Sequence, residues 1–198
     1  MAEKKNKNVD TLKSELWFID VIKRIGRLGK KKAHAYLELK RNRMMTAGNI
    51  LVFRYSDPKY KEKLKFYDEH PVIMVLEKRN SYNNLFGVNL HYLPLQLRIK
   101  FLKYVLKRNK TRIHKKQRVV FTYDLAYDFL KRTGYHKTAL HSYIPSRIDA
   151  MVKVEYPEWK HVASLDSAKF VFKRGYSKSD LGLWCLHKIK IKGKQWKI

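Results

Sequence analysis

Acidic residues are missing from long stretches of this sequence, and those stretches are rich in lysine and arginine. The longest one lies between Glu77 and Asp124, and shorter ones lie between Asp20 and Glu38 and after Asp180. The basic residues of the longest stretch are Lys78, Arg79, Arg98, Lys100, Lys103, Lys107, Arg108, Lys110, Arg112, Lys115, Lys116 and Arg118. A compact fold with this much like charge repels itself unless a polyanion or many counterions neutralise it. The pattern therefore indicates a partner that carries many negative charges.

The composition of the whole chain agrees with this interpretation and also predicts a folded core. There are 45 lysines and arginines against 17 acidic residues, a formal net charge of +28, which disfavours an enzyme for a small neutral substrate. Hydrophobic residues make up 44% of the chain and aromatic residues 13%, which disfavours disorder. The length of 198 residues fits a single domain.

Several other classes of protein are disfavoured. The single cysteine, Cys185, excludes an internal disulfide and a cysteine-rich zinc site. The basic N-terminus is not followed by an apolar stretch of signal-peptide type, and the longest apolar run, from Val72 to Leu76, is too short to cross a bilayer. We therefore expect a soluble intracellular protein or a component of an assembled particle, with no membrane partner.

Hydrophobic spacing and turn residues predict mixed secondary structure. We expect helices over residues 11–27, 33–43, 94–106, 123–132 and about 139–148. We expect strands over residues 49–55, 72–76, 86–92, 151–156 and, as a partner of the last, 161–165. A polar hairpin loop would cover residues 79–84 and a basic loop residues 109–118.

These elements predict an α+β fold, with a small, strongly bent antiparallel sheet or barrel flanked by several helices in a single domain. We divide the chain into a flexible basic leader (residues 1–10), N-terminal helices (11–48), an α+β core (49–172) and a basic C-terminal tail (173–198). The stretch from Ser56 to Glu77 is nearly balanced in charge, so the basic surplus is an addition to a folded scaffold.

Catalytic motifs are largely missing. The eight histidines are scattered without the spacing of a zinc-binding helix, and there is no nucleophile elbow, phosphate-binding loop or dinucleotide fingerprint. We therefore predict no catalytic residues, no metal, no cofactor and no small-molecule substrate. One weak signal remains: Asp20 with Glu38-Leu39-Lys40 is similar to the acid and E-x-K spacing of magnesium-dependent nucleases. Lysine is so abundant here that such a match is expected by chance, so a nuclease is the third and least favoured hypothesis.

Phosphate backbones are the commonest partner for a surface of unpaired lysine and arginine, and a solvated face is the alternative for any single run. Aromatic residues lie among the basic ones, and exposed rings beside cations can stack on bases. Most of these rings are needed in a core, and Tyr82, Trp184 and Trp196 are the better candidates for exposure. The predicted nucleic-acid-binding residues are Lys30, Lys31, Lys32, Arg41, Arg43, Lys107, Arg108, Lys110, Arg112, Lys115, Lys116, Arg118 and Tyr82.

Three motifs carry a resemblance to a known family. They are Phe53-Arg54-Tyr55-Ser56-Asp57-Pro58-Lys59, then Phe66-Tyr67-Asp68 with Pro71, then Phe86-Gly87-Val88-Asn89-Leu90-His91-Tyr92-Leu93-Pro94 with Arg98. With these motifs the chain resembles the DNA end-protector, or head-completion, proteins of large T-even-type contractile-tailed phages. The likeness covers most of residues 11–172, and its most specific part is the G-x-N-L-H-Y-L-P run. Within it, we expect Leu90-His91-Tyr92 to be structural. Leu95 replaces a proline of the family pattern, and residues 184–198 match nothing in it.

The resemblance implies a minor virion protein that binds the ends of packaged linear double-stranded DNA and shields them from host exonuclease. It further implies a role in completing the head, contact with other virion proteins (portal, neck or baseplate components), and a location in the virion and, during assembly, in the host cytoplasm. The main alternative is a structural subunit of the neck or baseplate whose basic surface docks on acidic neighbouring proteins.

Overall fold

The structure, a computed structural model, describes residues 2–28, 44–56, 66–76, 84–115, 117, 119–165 and 170–172, of which residues 2–9, 66 and 170–172 are described by their backbone alone. The helices are α1 (Ala2–Leu28), α2 (Leu95–Arg108), α3 (Lys110–His114), α4 (Tyr123–Thr133), α5 (His136–Ala139) and α6 (Trp159–Ser164). The strands are β1 (Ile50–Tyr55), β2 (Phe66–Asp68), β3 (Val72–Val75), β4 (Leu85–Asn89), β5 (Leu140–Tyr143), β6 (Ile148–Val154) and β7 (Phe170–Phe172).

Five of the strands form one antiparallel sheet in the order β5-β4-β3-β1-β6. The sheet is open, so the fold is the predicted α+β arrangement around a sheet and not a barrel. Strand β1 lies inside the sheet, and all its residues except Arg54 are buried. This is why β1 and β3 read as continuous apolar runs in the sequence. Strands β2 and β7 pair separately.

Alternate residues of the sheet enter two hydrophobic clusters, because successive side chains of a strand point to opposite faces. Ile50 and Val52 pack with side chains of the helices, which cover one face. The helical residues in that cluster include Phe18, Val21 and Ile25 of α1, Phe101, Leu102 and Val105 of α2, Ala126 and Leu130 of α4, and Trp159 and Val162 of α6. On the other face, Leu51 and Phe53 pack with Tyr67 and Tyr143.

The G-x-N-L-H-Y-L-P run forms the junction between β4 and α2. A Cβ atom on Gly87 would lie 2.7 Å from the carbonyl oxygen of Met74 on the paired strand, so the sheet leaves no room for a side chain there. The side chain of Asn89 accepts a hydrogen bond from the amide of His91 and begins a 3₁₀ turn over Leu90–Tyr92. Pro94 then precedes the first turn of α2. Leu90 and His91 are buried in this turn, in keeping with the structural role expected for Leu90-His91-Tyr92.

Arg98 holds this junction against the last helix. Its side chain is buried, and its guanidinium donates hydrogen bonds to the carbonyls of Leu90 and Leu93 and to those of Val162 and Leu165. The charge is therefore surrounded by carbonyl dipoles at the end of α6, which is the environment that makes a buried arginine tolerable. Arg98 belongs to the core and not to the basic surface.

Two predicted elements are wrong. The helix over about residues 139–148 is instead β5, followed by a 3₁₀ turn at Pro145–Arg147, because proline cannot continue a helix and Tyr143 fills the space beside Phe53 and Tyr55. The strand over residues 161–165 is instead α6, which follows a reciprocal capping box between Glu155 and Glu158.

Boundaries also differ at several places. Helix α1 begins at Ala2, whereas the helix was predicted from residue 11, and β6 covers Ile148–Val154, whereas the strand was predicted over residues 151–156. Strand β4 ends at Asn89 because that residue caps the 3₁₀ turn, and the loop over residues 109–118 contains the short helix α3. The predicted helix over residues 33–43, the hairpin loop over 79–84 and the tail over 173–198 lie outside the described residues. The division of the chain into leader, helices, core and tail stays a prediction. Among the described helices, none has the length and apolar character that crossing a bilayer requires.

Candidate nucleic-acid interface

The basic residues that follow Arg98 lie on α2, on α3 and on the turn after α3. Helix α2 buries Phe101, Leu102 and Val105 against the core, and its opposite face is exposed. Five of the predicted contact residues are exposed on these two consecutive helices or directly after them: Lys107, Arg108, Lys110, Arg112 and Lys115. The structure therefore places these five cations on one continuous stretch of surface, which we call the α2–α3 surface.

The base of this stretch is fixed by Asn109, the residue between α2 and α3. Its side chain is buried and donates hydrogen bonds to the carbonyls of Val105 (2.9 Å) and Val120 (3.0 Å). Its side-chain oxygen accepts a bond from the amide of Val120 (2.9 Å). One neutral side chain thus ties the start of α3 to Val120 on the folded core.

The far end of the loop packs against the start of the sheet. Gly48 has a φ of +87°, and a Cβ atom there would lie 1.9 Å from the carbonyl oxygen of Val119. Its amide donates to the carbonyl of Val75 at 2.8 Å, just beyond the pairing between β1 and β3. The loop is therefore anchored at one end by the side chain of Asn109 and packed at the other against a position that only glycine fits.

Arg108 is held by an aromatic ring. Its guanidinium lies over the ring of Tyr104, 5.4 Å from the centroid. Tyr104 in turn packs against Phe129 of α4 (5.3 Å) and Phe121 (6.0 Å). A guanidinium held on an aromatic face has fewer conformations to lose when it binds an anion. Arg108 is therefore a cation of this surface that an aromatic contact helps to position.

The exposed cations of α2 and α3 form no ion pair with a carboxylate of the described residues. The ion pairs found there join Arg54 to Glu69 and Asp149, Lys153 to Glu155, and His91 to Asp68. Exposed acids do occur on α4, at Asp124 and Asp128, but neither pairs with a cation of α2 or α3. Among the described residues, a phosphate that binds the α2–α3 surface therefore has no salt bridge to break.

Other predicted contact residues lie outside the described residues, and the structure neither supports nor opposes them. They are Lys30, Lys31, Lys32, Arg41, Arg43, Tyr82, Lys116 and Arg118. Two further exposed lysines of α2, Lys100 and Lys103, were not among the predicted contact residues. A signal for them exists in the sequence, since they precede Lys107 at helical spacing on the face opposite the apolar positions.

A second polar group, the Asp68 cluster, lies beneath the surface and joins β2, β4 and β5. One carboxylate oxygen of Asp68 lies 3.0 Å from Nδ1 of His91 and accepts a bond from the side chain of Asn89 at 2.8 Å. Asn89 also donates to the hydroxyl of Tyr143 at 3.0 Å, and burial raises the pKa of Tyr143 well above its usual value. Because the side chains of His91 and Asp68 are 1% and 5% exposed, this cluster is part of the core.

Metal chemistry has no visible site in the part of the chain that the structure describes. No three histidine, cysteine or acidic side chains come together there as a metal would require. Asp20 of the nuclease hypothesis is exposed on α1, whereas Glu38 and Lys40 lie outside the described residues. The pairing of Asp20 with Glu38 stays a prediction.

Comparisons with known proteins give one match. A family model described as "Phage T4 terminal DNA protecting protein" matches residues 2–184. The match spans the sheet, all six helices and the α2–α3 surface. No curated protein and no solved structure matches the chain.

Proposed function

The chain belongs to the family of phage T4 terminal DNA protecting proteins, and on that premise we propose that it binds the ends of linear double-stranded DNA and shields them from exonuclease without being an enzyme itself. The observation that supports this most directly is the α2–α3 surface. Its cations are exposed and lack carboxylate partners among the described residues. They lie on α2, on α3 and on the turn after α3, in a segment that Asn109 and Gly48 anchor to the core.

Phosphate binding is the chemistry that this surface offers. Lysine and arginine side chains replace the counterions condensed on the duplex, and the released ions drive binding. Arg108, held on Tyr104, can present two parallel N–H groups to one phosphate, while Lys107, Lys110 and Lys115 act as point charges. Such contacts do not depend on base sequence, as a protein that protects the end of any genome requires.

Preference for an end needs a further contact, because phosphates occur along the whole duplex. Only an end presents an unpaired face of a base pair on which a ring can stack. We propose Tyr82 for that role. We further propose that phosphates are bound by the cations Lys30, Lys31, Lys32, Arg41, Arg43, Lys116 and Arg118. These assignments rest on the sequence.

Contact with other virion proteins is a second part of the proposal. Leu12 and Leu16 lie one helical turn apart on α1, and their side chains are 58% and 59% exposed. Exposed apolar pairs of this kind suit docking on another protein. We propose that the protein stands in the virion, where it helps to complete the head beside portal, neck or baseplate components, after a stage in the host cytoplasm.

The alternative is a neck or baseplate subunit that uses its basic surface on acidic proteins. The exposed leucines of α1 favour it as much as they favour head completion. The two differ in where the protein is found: a baseplate subunit would occur in DNA-free tails in stoichiometric amounts.

Exonuclease digestion tests the proposed function. The full chain, incubated with linear duplex DNA at two salt concentrations, should slow digestion at low salt and lose this effect at high salt. The variant Arg112→Gln/Lys115→Gln should protect less, whereas Lys13→Gln/Lys153→Gln, which removes the same charge from α1 and β6, should protect as the wild type does. Digestion at the unprotected rate in low salt would refute the proposal. Cleavage of the DNA by the protein with magnesium or manganese would refute its non-enzymatic part.

A further inference from the structure

The exposed face of α2 carries a straight row of lysines beyond the residues discussed so far. Lys100, Lys103 and Lys107 are spaced by three and four residues, so they lie on one side of the helix. At 1.5 Å of rise per residue, the row is about 10 Å long. Within the described part of the chain none of the three pairs with a carboxylate.

The row offers charge and no free aromatic face. The two rings of α2 belong to Phe101, which is fully buried, and to Tyr104, which packs on Phe121 and Phe129 and is covered by Arg108. A base therefore has no ring to stack on along this side of the helix. Whatever binds here is recognised by its negative charges and by their spacing.

The spacing fits a nucleic-acid backbone. Each strand of a duplex carries a phosphate about every 3.4 Å along the helix axis, and successive phosphates also wind around that axis, so a straight row about 10 Å long faces about two of them. The opposite face of α2 is packed into the core by Phe101, Leu102 and Val105, which keeps the row straight and fixed relative to the loop at α3.

We propose that α2 binds the phosphate backbone of duplex DNA inward from the end, through Lys100 and Lys103 together with Lys107. This inference rests on the proposed function and divides the interface into two parts. The lysine row of α2 contacts backbone that linear and circular DNA share, so it contributes affinity and no preference for an end. Recognition of the end itself then belongs to other residues.

The variant Lys100→Gln/Lys103→Gln tests this division. Each phosphate contact contributes about 0.9 to the slope of log affinity against log salt, so losing two contacts should reduce the slope by about 1.8. At about 0.1 M salt the same relation predicts a loss of about 8-fold in affinity for one contact and about 60-fold for two. The probes are a linear duplex and a closed circle of the same sequence, titrated with the full chain over a range of salt concentrations.

The expected result is an equal loss of affinity for both DNA forms, with the ratio between linear and circular affinity as in the wild type. The control Lys13→Gln/Lys153→Gln should change the slope little, and circular dichroism should show that both variants are folded. An unchanged slope for Lys100→Gln/Lys103→Gln would refute the backbone contact, and so would a wild-type protein that binds neither DNA. A loss confined to linear DNA would refute the division by placing α2 at the end.

This result is separable from the test of the proposed function. If the wild-type protein binds linear and circular DNA equally, the preference for ends fails, while the slope of the variant still decides whether α2 contacts phosphate. If the wild type prefers ends and the slope is unchanged, only the contact by α2 fails.

Discussion

Asn109 and Val120 are joined by two hydrogen bonds across the base of the basic loop, 3.0 Å and 2.9 Å long. The Asn109 side chain thus pairs with both the carbonyl and the amide of one residue, as a neighbouring strand would, and it binds Val105 as well. A basic segment without such a closure would lose much conformational entropy when it binds an anion. Here that ordering is already part of the fold.

The variant Asn109→Ala tests whether the anchoring of the loop contributes to DNA affinity independently of its charge. The variant removes three side-chain hydrogen bonds and leaves the polar groups of Val120 without their partner, so we expect a loss of about 2 kcal/mol in the free energy of unfolding. DNA affinity should fall although no cation is removed. Urea denaturation and DNA titration measure the two effects. Gln117→Ala, at an exposed position of the same loop, is the matched control and should change neither. A stable Asn109→Ala variant with wild-type affinity would contradict the anchoring.

Gly48→Ala should be among the most damaging small substitutions in the described chain. The new Cβ atom would collide with the carbonyl of Val119, and the φ of +87° is strained for any residue with a side chain. We expect a loss of at least about 2 kcal/mol in the free energy of unfolding. Gly26→Ala is the control, because no atom lies within 4 Å of its added Cβ on α1. It should be neutral or stabilise by up to about 1 kcal/mol. Equal effects of the two substitutions in thermal or urea unfolding would contradict this packing.

Removing one member of the Asp68 cluster should destabilise the core. In His91→Ala the carboxylate of Asp68 stays buried and, among the described residues, keeps only the hydrogen bond from Asn89. Removing one partner of a buried pair lowers the free energy of unfolding by about 3 kcal/mol or more. The double variant His91→Ala/Asp68→Asn should lose less free energy of unfolding than the two single variants together. The reason is that Asp68→Asn removes the carboxylate charge that His91→Ala leaves buried without its histidine partner. Additive effects in urea denaturation would show that the two side chains do not interact.

The half-buried histidine of β5, His141, predicts how stability changes with pH. Burial lowers the pKa of His141 below its ordinary value of about 6.5, although its ring also bonds the carbonyl of Thr138. The unfolded chain then takes up the proton more readily, so stability falls as the pH drops below about 6.5 and stops falling below the folded pKa. The pKa of His70 is lowered by burial in the same direction.

Unfolding by urea at several pH values measures this effect. His141→Gln should show a smaller loss of stability between about pH 7 and about pH 5 than the wild type, whatever its stability at about pH 8. An unchanged pH dependence in the variant would contradict the assignment to His141.

Much of the fold was predictable because local pattern and burial agree in it. The continuous apolar run of β3 and the end of α4 at Gly134, which has a φ of +82°, follow from the sequence. The wrong predictions concern segments whose secondary structure depends on contacts with residues far away in the sequence. Residues 140–143 become a strand because β4 provides a partner and Phe53 a place for Tyr143, and residues 159–164 become a helix because Trp159 and Val162 pack with the helical cluster.

The exposed basic surface was predictable in part for the same reason. Charge runs in the sequence led to Lys107 and the basic residues up to Lys115 as candidate contacts, and that assignment stays a prediction. Lys100 and Lys103 were not named because charge runs alone do not show which side chains of α2 face outward, whereas the spacing of its apolar residues does. Asn109 and Gly48 carry no charge, and their roles depend on contacts with Val120 and Val119 that only the folded chain makes.

The affinity of the full chain for a linear duplex, compared with its affinity for a closed circle of the same sequence and length, tests the central claim most directly. We predict tighter binding of the linear form, with both affinities falling steeply as salt rises, because only the linear form has an exposed terminal base pair while both share the backbone. Equal affinity for the two forms at every salt concentration would contradict the claim that this protein recognises DNA ends.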